Sequence, residues 1–147
     1  MTAPTPILEL VRLSDVKPEP INWLWPGRIP KGKITFIAGL PGLGKSQVTV
    51  SIAAIVSSGG IWPVDEIPAD VGNVLILSAE DGIADTIKPR LLAAGADTDR
   101  IEAIKAVRMG NQSRPFSLNH DLELLSDTKA SLLIVDPLTA YMGGVDS

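Results

Sequence analysis

Eight consecutive residues, Gly39-Leu40-Pro41-Gly42-Leu43-Gly44-Lys45-Ser46, place three glycines, a lysine and a hydroxyl in the spacing GxxxxGKS. Glycine at those positions permits tight, positive-φ backbone, so that successive N–H groups can converge on an anion. Lys45 adds a cation long enough to reach the outer phosphates of a nucleoside triphosphate. A helix starting here would add the attraction of its N-terminal dipole. Ser46 offers the hard oxygen that a magnesium ion bridging those phosphates needs. This is the pattern of a Walker A loop, and it makes Gly39, Leu40, Pro41, Gly42, Leu43, Gly44, Lys45, Ser46 and Gln47 the candidate nucleotide-binding residues.

Two further carboxylates fit the same chemistry. Asp136 closes the apolar run Leu132-Leu133-Ile134-Val135, the setting of a Walker B acid that shares the metal with Ser46. Taken alone, such an acid is more often a turn or cap residue, and the loop upstream is what favours the metal role. Hydrolysis also needs a carboxylate to orient or deprotonate the attacking water, and the residue after Asp136 is Pro137, which cannot do so. Glu80, at the end of the run Asn73-Val74-Leu75-Ile76-Leu77-Ser78, can. Glu80 and Lys45 are therefore the candidate catalytic residues. The bland alternative for Glu80 is a solvated loop acid, and Asp81 beside it is expected to cap the following helix.

These residues need a frame. Ile34-Thr35-Phe36-Ile37-Ala38, between Gly32 and Gly39, reads as a buried strand leading into the loop. Val48, Ile52, Ile55 and Val56 recur at helical spacing until Gly59-Gly60. Residues 73–78 form the second strand, and 83–94 a helix that Pro89 kinks or restarts and Gly95 closes. A weaker strand lies within 101–107. Leu118, Leu122 and Leu125 mark another helix, and 131–136 the last strand. Alternation of this kind predicts an α/β fold, a parallel sheet covered by helices on both faces, with ligands at the carboxyl ends of its strands.

The bulk properties narrow the function classes. A chain of 147 residues with 45% apolar content can build one core, and a net charge of −4 gives no overall basic field for nucleic acid. With no cysteine, a metal must bind through oxygen, and a reducing, cytoplasmic setting fits. Six of the twelve prolines fall within residues 1–30, a proline-rich lead-in expected to be mostly unpaired, before the ATPase core at 31–147. Trp23, Trp25 and Trp62 are expected to pack this arm onto the domain rather than to stack on bases. His120, the sole histidine, is expected at the surface.

Taken together, Trp23-Leu-Trp-Pro-Gly-Arg-Ile-Pro30, the Walker A loop, Leu77-Ser-Ala-Glu-Asp81 and Leu133-Ile-Val-Asp-Pro-Leu138 resemble the RecA-fold ATPases of the RepA-like replicative helicase and primase–helicase group, over about residues 14–145. The resemblance implies a RecA-like sheet and ATP with Mg2+ as cofactors. It also implies a homo-oligomeric, often hexameric ring acting on single-stranded DNA. It maps Glu80 onto the catalytic base, Lys45 and Ser46 onto the phosphate and metal residues, and Asp136 onto the Walker B acid. In that class a strand later in sequence lies between the Walker A and Walker B strands. The eleven residues after Asp136 are too few to supply it, so the core is expected to be truncated after the Walker B strand. Sensor, DNA-contacting loops and arginine finger would then lie elsewhere. Two other classes stay open: a small-molecule P-loop kinase, although Arg90, Arg100, Arg108 and Arg114 form no obvious lid, and a non-catalytic nucleotide-dependent switch.

Overall fold

The computed structural model describes residues 1–142. Chain order runs through a hairpin of β1 (Trp23–Trp25) and β2 (Ile29–Pro30), helix α1 (Lys45–Ser58), and strand β3 (Asn73–Ser78). A single π-helical turn (Ile83–Ile87) then leads into α2 (Lys88–Ala93). Strand β4 (Ile101–Ala103), the hairpin β5 (Val107–Met109) and β6 (Gln112–Arg114), the short α3 (Leu118–Asp121) and strand β7 (Ala130–Asp136) complete it.

The three longer-range strands form one parallel sheet in the order β4-β3-β7. β3 sits in the middle because nearly all of it is apolar, and Val74 through Leu77 are buried. Its register with β7 pairs Ile76 with Ile134 and Ser78 with Asp136, so the two strands end side by side. Helix α1 packs over β3 and β7 with α2 alongside it. Ala53, Val56 and Leu77 are fully enclosed. The expected stripe along α1 is only partly right: Ile52 and Val56 are buried, Ile55 is half-buried and Val48 is exposed, while Val50, Ala53 and Ala54 join the core. A helix apolar on most sides is buried by its neighbours rather than by one stripe. It stops at Gly59, whose φ of 67° suits a residue without Cβ and whose N–H reaches Ile55 O.

One expectation about the first forty residues needs correction. Residues 34–38 join no ladder, and Ile34 and Phe36 are 80% and 70% exposed. β-branched apolar residues favour an extended chain, but a strand exists only through a neighbour that takes its N–H and C=O groups. Among the described residues β7 pairs on one side, with β3, and residues 34–38 have no such neighbour. The proline-rich segment before them is mostly unpaired, as expected. Residues 1–22 carry only a 3-10 turn and are exposed, whereas β1 and β2 pair antiparallel.

The hairpin is anchored by Trp25 and Trp62 as expected, whereas Trp23 is exposed. The Trp25 ring stacks on Trp62 with centroids 4.7 Å apart, and Trp62 is almost completely buried. Asp65 accepts hydrogen bonds from Arg28 (2.6 Å) and from the Trp25 indole (3.3 Å), and the Arg28 guanidinium lies 5.0 Å from the centre of the Trp25 ring. His120 is at the surface, as expected. Among the described residues no helix is long and apolar enough to cross a membrane. The last five residues of the short tail after β7, 143–147, lie outside the described part.

Candidate active site

The loop between residue 39 and α1 owes its shape to two glycines. Gly42 and Gly44 adopt φ of 79° and 82°, values that a side chain disfavours, and Gly44 forms the N-cap of α1. Gly39 has no positive φ, so its conformational freedom, expected from the motif, is not used here. A Cβ added at Gly39 would lie in ordinary contact distance of the Leu43 and Lys45 side chains. Residues 39–44 are exposed, as is Gln47 in the first turn of α1. The Lys45 ammonium folds back over the loop and donates to the carbonyls of Gly39 and Leu40, at 2.8 Å each.

Ser46 and Asp136 meet directly. The Ser46 hydroxyl donates to Asp136 Oδ2 at 2.6 Å, although the two residues lie 90 apart in sequence. Both are half-buried. The contact follows from the fold: α1 begins at Lys45, packs across β7, and so lays its first turn against the carboxyl end of that strand. The ends of β3 and β7 are held together by Ala79 N–H donating to Asp136 O at 3.1 Å. A cleft of about 20 Å3, room for one water-sized group, opens here among Ser46, Thr49, Ser78, Asp81 and Asp136. A larger groove of about 280 Å3 lies at the opposite, amino-terminal ends of the strands, beside Asn73, Arg100 and Lys129, away from all of these residues.

Glu80 lies one residue beyond the Ala79 contact and is exposed. Its neighbour Asp81 does not cap the next helix. Gly82 occupies the cap position without a side-chain bond, and Asp81 instead lines the cleft and accepts from Arg90 at 3.2 Å. Near Asp136, burial first and the Asp136 charge second push the Tyr141 phenol above its ordinary pKa.

A glycine-rich loop leads into α1, Ser46 and the strand-end Asp136 are in contact beside it, and a three-stranded parallel sheet lies behind them. The family model of an AAA domain matches residues 3–147. The chain belongs to the AAA domain family. AAA domains are P-loop ATPases, which generally use ATP and Mg2+, and the parallel sheet with its packed helices is the matching α/β architecture. No curated protein and no solved structure matches the chain.

In this AAA domain the oxygen donors suit a hard divalent cation. Ser46 Oγ and Asp136 Oδ2 are adjacent, oxygen-only and open to the cleft, which fits Mg2+ held by few protein ligands, the rest being phosphate and water. Ser78 and Asp81 were not among the sequence candidates for the site. The signal was present in the doubled acid Glu80-Asp81, but nothing in the sequence says which of two adjacent acids turns toward the cleft.

Proposed function

We propose that this AAA domain binds ATP with Mg2+ and hydrolyses it as part of a RecA-like, DNA-replication-associated helicase or helicase-type ATPase. The observation that carries the reading is the Ser46–Asp136 hydrogen bond at the mouth of the glycine loop. It joins a hydroxyl and a carboxylate that the chemistry of a phosphate-bound metal requires at one point.

In this reading the N–H groups of residues 39–47 and the N-terminus of α1 cradle the phosphates, and Lys45 moves from the Gly39 and Leu40 carbonyls to the β/γ-phosphates. Ser46 and Asp136 would hold Mg2+, which would supply charge neutralisation on the phosphate oxygens. Glu80 orients the attacking water and takes up its proton as the γ-phosphate departs. Its exposure leaves room for that water.

Residues 31–147 act as the ATPase core and 1–30 as its lead-in, in a cytoplasmic protein. Among the described residues the 34–38 run is unpaired and β7 pairs only with β3, which supports a RecA-like sheet, in which a further strand lies between them. Both features count against the kinase reading, in which residues 34–38 would pair with β7. Assembly into a homo-oligomeric ring on single-stranded DNA follows from the same resemblance.

ATP turnover by the full-length protein, measured with and without single-stranded DNA, tests the proposal. Turnover that DNA stimulates supports it. Phosphate transfer to a small acceptor, or binding without turnover, would replace it by the kinase or the switch.

A further inference from the structure

We infer that Arg90 and Asp81 are a positioning pair that sets the turn carrying Glu80 against the Ser46–Asp136 cleft. The inference rests on the ATPase reading above and extends it to residues outside the nucleotide loop.

The turn from Ala79 to Gly82 is tied at two points. At its start the Ala79 N–H is fixed to Asp136 O. Two residues on, Asp81 lines the cleft and its Oδ2 accepts from Arg90 Nη1 at 3.2 Å, while its backbone N–H lies 3.4 Å from Ser78 Oγ. Glu80 sits between the two ties, so the direction of its carboxylate depends on both.

Arg90 is itself aimed by the helix that carries it. Ile87 and Leu91, four apart, are buried, and they lock the rotation of α2 about its axis. The chain enters this helix through the π turn, with Gly82 O accepting from both Thr86 and Ile87. Pro89 fits there because it has no N–H to offer the Asp85 carbonyl. The side chains of Arg90 and Asp81 are 44% and 31% exposed. A pair that open adds little to fold stability, so its effect belongs to the geometry of the turn.

The test uses the full-length protein and its Arg90→Ala, Arg90→Lys, Asp81→Asn and Asp81→Asn/Arg90→Ala variants. Affinity for a fluorescent ATP analogue and kcat for phosphate release are measured separately. Arg90→Ala should lower kcat roughly tenfold, since small misplacements of a catalytic group are costly, while affinity stays within about twofold. Arg90→Lys should recover part of the loss, and the double variant should be no slower than the slower single one. Parental kcat in Arg90→Ala, losses that multiply in the double variant, or affinity falling in step with kcat would overturn the pair. A parent that binds analogue and turns over ATP confines such a failure to the pair. A parent that does neither overturns the ATPase reading and the pair with it.

Discussion

The Ser46 hydroxyl donates a 2.6 Å hydrogen bond to Oδ2 of Asp136. Each residue is placed by a different element, Ser46 by the first turn of α1 and Asp136 by the last position of β7. The bond therefore records how the helix crosses the sheet. It also brings together two oxygens able to share one divalent ion.

If they share it, removing either should weaken nucleotide binding only when Mg2+ is present. Ser46→Ala and Asp136→Asn are each expected to lower affinity for the Mg2+-bound ATP analogue by about 1.5–3 kcal/mol, the range for interactions with a charged partner. Titrations in excess chelator should show variants and parent alike. Equal losses with and without Mg2+ would assign the pair to folding alone.

Glu80→Gln should separate binding from hydrolysis. The amide keeps the size of the side chain but cannot accept the proton of water. We expect unchanged analogue affinity and turnover slower by roughly a hundredfold, the lower range for a positioned base. Parental turnover would move the base elsewhere, and Asp81 in the cleft is the first alternative.

The local part of this site was legible in the sequence. The glycine spacing, the start of α1 and the two apolar runs ending at Ser78 and Asp136 all depend on residues close in the chain, and the structure has the helix and both strands where expected. What depended on distant partners was not legible. Among the described residues, 34–38 have strand chemistry but no strand beside them, and Val48 obeys the helical period yet is exposed, because the first turn of α1 meets β7 through Ser46 and not through Val48. Asp81 looked like a cap because it precedes a helix. Its partner is Arg90, on the helix that follows a π turn, and residue-by-residue propensity does not reveal that contact.

Acid should expose a second buried contact. Asp121 is almost fully enclosed and accepts two bonds from the Arg114 guanidinium, at 2.6 and 2.7 Å, and one from the Ser117 N–H at 2.8 Å. The Arg114 bonds first, then Ser117, lower its pKa from 3.8 to about 2. A carboxyl lowered on folding stabilises the fold above its unfolded pKa, and that contribution fades as pH falls through the folded value. Asp121→Asn should therefore be less stable than the parent at neutral pH. In denaturant titrations the gap should begin to close below about pH 4 and disappear near the folded value of about 2. A gap constant across that window would remove the ionic part of the contact.

The tryptophan stack predicts how firmly the N-terminal hairpin is tied down. Trp62 is 1% exposed, and truncating a buried aromatic to alanine typically costs about 3–5 kcal/mol. Trp62→Ala should lower the unfolding free energy by that amount. Trp25→Ala, at a half-buried site, should cost less. Equal effects would mean that the hairpin and the core unfold as one body.

The most direct test of the account is the affinity of Lys45→Ala for an ATP analogue in the presence of Mg2+. Among the described residues the Lys45 ammonium is held only by two carbonyls of its own loop, so its removal should leave the fold intact while deleting the cation meant for the phosphates. The account predicts that affinity falls at least about thirtyfold, equivalent to about 2 kcal/mol for a charge-assisted contact, with an unchanged unfolding curve. Affinity within about twofold of the parent would contradict the nucleotide site itself.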